Sequence, residues 1–170
     1  MSELMTVTLG DDTFEYVPLD DRQNHHCFTL MGVEWDMDKV YRLVAGREPS
    51  FTTSVIETGH WIGDAPGEKT RERDGEMHRA IGMIGVTWKR LEENPEQFDP
   101  RVPMIGADML LNDGTTGHMI IDGWHRLARA RQLGMETMLV VMLTTDEELK
   151  CRTARSYKPR RKRKAKEVTA

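Results

Sequence analysis

The sequence predicts an α/β (α+β) domain built on a small mixed β-sheet flanked by helices. Three observations point there. Short β-rich runs alternate with stretches of helical period. The run from Met109 to Leu143 reads strand, turn, strand, helix, strand, which asks for a mixed sheet with a right-handed crossover. At 170 residues, 38% hydrophobic and 31% charged, the chain is long and apolar enough for one buried core.

Taken in order, Leu4 to Leu9 and Phe14 to Leu19 are β-rich runs around Gly10-Asp11-Asp12 and predict a hairpin. A polar break, Asp20 to Asn24, precedes a further strand candidate, Cys27 to Met31. From Asp36 to Gly46 the chain reads as a helix: Met37, Val40, Tyr41 and Val44 share one face, Asp36 is placed as N-cap and Gly46 as the residue just past the end. Glu48 to Glu76 holds repeated Gly and Pro and is read as an irregular connection, a lid over a ligand or a mobile segment. A second helix is expected from Gly75 to Glu93, with Met77, Ala80, Ile81, Ile84, Trp88 and Leu91 at helical spacing and Asn94-Pro95 as its stop. Gly82 and Gly85 weaken it by about 1 kcal/mol each relative to Ala.

Met104 to Leu111 is a strand candidate, Asn112-Asp113-Gly114 a turn, His118 to Ile121 a second strand, and Met138 to Leu143 a buried third. The helix between the last two runs to Gly134. Thr145 with Glu148 fits a capping box opening a final helix that continues to about Tyr157.

Charge divides the chain. Ten of the 24 Lys/Arg lie between Lys150 and Lys166 with no acid among them, and the other 14 face all 28 acids, a balance of −14. An acidic remainder thus carries a basic C-terminal end; the domain is read as residues 1–157 and the tail as 158–170, in which Arg160, Arg161, Lys162, Arg163 and Lys164 form an unbroken run expected to be disordered when free. The run suits sequence-independent contact with the phosphate backbones of DNA or RNA, weakening steeply with salt. No apolar run approaches the ~18 residues of a membrane span, so no membrane partner is expected. No signal peptide is read at Met1 to Met5, and two cysteines make no disulfide framework, so a cytoplasmic setting is expected. Adjacent ligands such as His25-His26-Cys27 seldom converge on one ion, and no partner pair follows, so zinc is not expected.

The chemistry concentrates where the second strand of this unit meets its helix: Ile121-Asp122-Gly123-Trp124-His125-Arg126-Leu127-Ala128-Arg129-Ala130. Gly123 permits a sharp bend. The helix beginning there presents free N–H groups and the positive end of its dipole, and His125 and Arg126 add donors, which together suit a phosphate. Asp122 reads either as a helix cap or as a base or Mg2+ ligand beside the phosphate. Trp124 reads either as a surface on which a nucleobase stacks or as core behind the turn. Glu34 and Asp36, ahead of the first helix, are candidates for a second carboxylate near the phosphates.

This string, followed by Leu133-Gly134, resembles the signature of the ParB/sulfiredoxin superfamily over about Val102 to Leu143. The resemblance implies that the turn binds the phosphates of ATP, ADP or CTP, with Gly123, Trp124, His125 and Arg126 as the binding residues, Asp122, His125 and Glu34 as catalytic ones, and Asp122 as ligand to any Mg2+. It implies NTP hydrolysis, phosphoryl transfer or nucleic-acid cleavage, or else a non-catalytic, nucleotide-switched module acting on DNA; a dimer is compatible with either. Free serine kinases of the superfamily carry Asp-Gly-His-His-Arg here, so Asp122, Gly123, His125 and Arg126 match and Trp124 departs. Sulfiredoxins place their attacking Cys where Trp124 stands, which argues against sulfinic-acid reduction. Partition-type ParB proteins carry Gly-Glu-Arg-Arg, with Trp124 and His125 replacing the Glu and the first Arg, and the residues after Gly134 are too few for their helix-turn-helix domain.

Overall fold

A computed structural model describes residues 3–21, 27–63, 71–73, 76–78, 84–110 and 114–154. The first two strands, β1 (Met5–Leu9) and β2 (Asp12–Tyr16), form the expected antiparallel hairpin with Met5 opposite Tyr16. β2 ends at Tyr16 rather than Leu19, and the Val17 amide turns to the Arg101 carbonyl. A second hairpin joins β3 (Cys27–Leu30) to β4 (Val33–Asp36), with Met31 and Gly32 at positive φ between them. Helix α1 (Met37–Val44) follows with the expected cap: the Asp36 side chain accepts from the Lys39 amide, and Met37, Val40, Tyr41 and Val44 are its buried residues.

The segment from Glu48 to Glu76 is not irregular throughout its described residues. It contains β5 (Phe51–Ser54), α2 (Val55–Gly59) capped by Ser54 on the Glu57 amide, and β6 (Arg71–Arg73). The long helix expected from Gly75 to Glu93 is also corrected. Its start is β7 (Glu76–His78), paired antiparallel with β6, and only α3 (Trp88–Glu93) is helical; Ala80, Ile81 and Gly82 lie outside the described residues. Ahead of α3, the Ile84 amide donates to the Trp61 carbonyl, a tie to the α2 segment that a continuous helix would forbid. A 3-10 turn over Pro95–Gln97 closes this region.

The central unit is β8 (Met104–Leu110), β9 (Thr116–Asp122), α4 (Trp124–Gln132) and β10 (Thr137–Leu143). The sheet runs β5-β10-β8-β9. Its middle pair, β10 and β8, is parallel with Val140 opposite Met104, and both edge strands are antiparallel. It is the mixed sheet expected. β10 is buried over Met138 to Val141 because it is central. Gly106 of β8 leaves room for Met142: a Cβ there would stand 2.4 Å from its sulfur.

The last helix, α5 (Thr145–Cys151), begins one residue before expectation. Thr144, not Thr145, makes the capping box, and its partner is Glu147. The helix stops at Cys151 instead of running to Tyr157, because Arg152 is extended and bridges to Trp35 of β4. There the fully buried Glu148 accepts from Trp35 Nε1 at 2.6 Å and from Arg152 Nε at 2.7 Å. The basic run Arg160 to Lys164 lies outside the described residues. Among the described residues no helix is long and apolar enough to cross a membrane.

Candidate functional site

β9 delivers Asp122 to the end of the sheet, opposite Ile105 of β8. The chain then bends at Gly123, with φ 101° and ψ 10°. A side chain there would be strained, and a Cβ would stand 3.0 Å from Met104 Cγ and 3.1 Å from Met104 Cα. Glycine therefore serves both conformation and packing at this point. Gly123 occupies the N-cap position of α4 without a side-chain cap, and the first helical bond runs from the Leu127 amide to the Gly123 carbonyl at 2.9 Å. Asp122 does not cap the helix.

Its carboxylate instead joins a buried cluster. Oδ2 of Asp122 accepts from the Tyr41 hydroxyl at 2.5 Å and from Arg126 Nη2 at 3.4 Å, and the same Nη2 donates to the Pro103 carbonyl at 3.0 Å. The Arg126 side chain is 12% exposed and that of Asp122 27%. Arg126 Nε is buried with no hydrogen-bond partner among the described residues. Burial pushes the Tyr41 phenol up to about 12, with the Asp122 charge adding to it. Burial also works against the charge on Arg126, but Asp122 and Tyr41 outweigh it and the net shift is upward. Arg126 is thus a held cation, clamping β8, β9 and α1 together, and is not a free arm at the mouth of the turn.

His125 points elsewhere. Its Nε2 accepts from the Thr87 amide at 3.1 Å, and its ring stacks on Phe98 at 5.3 Å between centroids. A nitrogen that accepts an N–H carries no proton, so the neutral ring bears its hydrogen on Nδ1. Desolvation, then the Arg90 charge, lowers its pKa and keeps it neutral. His125 can donate through Nδ1–H but has no free basic nitrogen in this arrangement. Trp124 is buried, with its indole N–H lacking a partner among the described residues, and it forms part of a cavity wall.

Glu34 is not gathered into the cluster by its observed bonds: its carboxylate accepts from Thr153 Oγ1 at 2.5 Å and its carbonyl from the Thr153 amide at 2.9 Å, tying β4 to the chain after α5. Among the described residues no group of three His, Cys, Asp or Glu could hold a metal ion.

The residues that sequence reasoning missed are Tyr41 and Pro103. Tyr41 was legible only as part of the apolar face of α1, yet a tyrosine on a buried face brings a hydroxyl that needs a partner. No family model matches this chain, and no curated protein or solved structure matches it either.

Proposed function

We propose that this chain binds nucleotide phosphates at the head of α4, as its ParB/sulfiredoxin-like signature implies. The observation that carries the reading is the uncapped first turn of a nine-residue helix, entered through a left-handed glycine and backed by a buried guanidinium whose Nε has no partner among the described residues. Amides of that turn and His125 Nδ1–H would contact the phosphates, and Arg126 would supply positive potential from behind them rather than a direct grip. The ligand is ATP, ADP or CTP, with Mg2+ met by Asp122. Turnover on this reading is phosphoryl transfer, NTP hydrolysis or nucleic-acid cleavage, with Asp122 as base; His125 is a donor only. The tail from Arg160 to Lys164 brings the acidic body to DNA or RNA.

A second reading is a non-catalytic, nucleotide-switched module on DNA. It is favoured by the mutual neutralisation of Asp122 and Arg126, which leaves the carboxylate already engaged before any ligand arrives.

Calorimetric titration of the full chain with ATP, ADP and CTP, with and without Mg2+, tests the binding claim, and no heat from any of the three at millimolar concentration refutes it. Phosphate release and plasmid nicking then separate the readings. Activity abolished by Asp122→Asn supports catalysis, and binding without turnover of any substrate supports the switch. Removing residues 157–170 should weaken DNA retention at low salt; unchanged retention refutes the role of the tail.

A further inference from the structure

Beside the turn lies a cavity of about 210 Å3 whose walls include Phe51, Trp61, Met119, Trp124, Met142 and His118. It draws on β5, β9, β10 and the first residue of α4, so the residue that follows the Gly123 bend also shapes this space. We propose that the cavity is a binding site for one flat heteroaromatic ring and, resting on the reading above, for the base of the bound nucleotide.

Size, walls and rim each support that chemistry. A void of about 150 Å3 admits benzene, and pockets for whole drug-sized ligands begin near about 300 Å3. At 210 Å3 the cavity suits one ring or two fused rings, not an entire nucleotide. Its walls combine three aromatic side chains with two thioethers, and both groups make their best contacts with a polarisable ring. Trp61 lines the cavity yet is 38% exposed despite its size.

The rim carries directional chemistry. His118 Nδ1 lies 2.6 Å from Asp108 Oδ1 across the β8–β9 pair, so its proton is held by a carboxylate and its ring orientation is fixed. Nε2 is left as the nitrogen for a ligand, accepting when the ring is neutral and donating when it is charged. Also in the wall, the Thr53 and Thr58 hydroxyls bond each other at 2.7 Å. One of the two spends its proton there, and both keep acceptor capacity for an amine or ring N–H. An edge with alternating donors and acceptors, as nucleobases and related heterocycles have, matches this rim better than a plain hydrocarbon does.

The test titrates the full chain with adenosine, cytidine, indole and inorganic pyrophosphate, following tryptophan emission and calorimetric heat. Saturable binding of a nucleoside is expected. Trp61→Ala should weaken it at least fivefold, and so should His118→Ala, which alters a side chain 77% exposed. Indole binding without either nucleoside keeps the ring site and overturns its assignment to a nucleobase. Pyrophosphate binding while adenosine, cytidine and indole all fail overturns the inference and leaves the phosphate reading standing. Nucleoside binding without pyrophosphate does the reverse. Nucleoside binding unchanged in both variants places the ring elsewhere and overturns the inference.

Discussion

Replacing Asp122 by Asn isolates what the buried cluster contributes. The substitution keeps the shape and a carbonyl acceptor for Tyr41 but leaves the Arg126 cation, 12% exposed, without its counter-charge. Removing one partner of a buried pair costs about 3–5 kcal/mol. With Asp122 27% exposed, water relieves part of that, and a loss of about 2–3 kcal/mol is expected. Tyr41→Phe removes one hydroxyl bond to a carboxylate, and bonds to charged groups contribute about 1.5–3 kcal/mol. Because both changes act on the same oxygen, the double variant should lose less than the sum, by about 1 kcal/mol. Urea unfolding followed by tryptophan emission and circular dichroism gives all four free energies. Additivity within about 0.5 kcal/mol would show that the three groups do not act as one unit. The cluster also has a pH signature. The Tyr41 phenol, raised from 10.0 to about 12 in the folded state, contributes stability that is complete below pH 10 and is lost as pH rises through 12. Tyr41→Phe should flatten that alkaline limb, and an identical limb in both proteins refutes the assignment.

Three further outcomes follow from the same geometry. Gly123→Ala should cost about 2–4 kcal/mol, from a left-handed backbone penalty of about 1–2 kcal/mol plus the contact with Met104 3.0 Å away; a loss under 0.5 kcal/mol in urea unfolding would show that the bend relaxes freely. The hydrogen bonds from Arg47 hold Glu147 well down, to about 2, from 4.5; the pair therefore stabilises above pH 4.5, its contribution fades as pH falls through 2, and Arg47→Ala should remove about 1–2 kcal/mol at pH 7 after allowance for solvent screening, with little difference from the parent at pH 2. Arg152→Leu leaves the Glu148 carboxylate buried and short of its cation, so a loss of about 3–5 kcal/mol is expected, and Glu148→Gln in the same chain should restore part of it; no restoration in thermal unfolding argues that packing alone set the loss.

The legible parts of the fold are those where one local rule governs. The hairpin about Gly10, α1 with its Asp36 cap and the β8–β9–α4–β10 unit are each set by period and punctuation over a few neighbouring residues. β5 was hidden because Phe51-Thr52-Thr53-Ser54 is short, sits among glycines and prolines, and becomes a strand only through its pairing with β10, more than 80 positions away. The second helix failed for the opposite reason. Its apolar spacing from Met77 to Leu91 satisfied a helical template, while long-range bonds such as Ile84 to Trp61 had the final say. In α5 both Thr144 and Thr145 precede acidic residues, so the sequence alone left two registers for the capping box. At the site, the bend at Gly123 was legible and the engagement of Arg126 was not, because its partners Tyr41 and Pro103 come from α1 and the approach to β8.

That engagement changes what the signature residues mean. Gly123 is required by the close approach of Met104, and Arg126 by the Asp122 charge and the Pro103 carbonyl, whether or not a ligand binds. Packing alone therefore accounts for much of the motif. It does not account for two things. A helix start normally gains about 1 kcal/mol from a Ser, Thr, Asp or Asn cap, yet the left-handed glycine here excludes one. A buried guanidinium nitrogen normally finds an acceptor, yet Arg126 Nε has none among the described residues. Both shortfalls are donors without acceptors, and both sit within one helical turn. An anionic oxygen at the head of α4 would supply the missing cap and lie in the field of the Arg126 charge. Ligand-induced protection is therefore expected first at the amides of Trp124, His125 and Arg126 in hydrogen exchange, and protection that spares this turn while appearing elsewhere would move the phosphate site away from it.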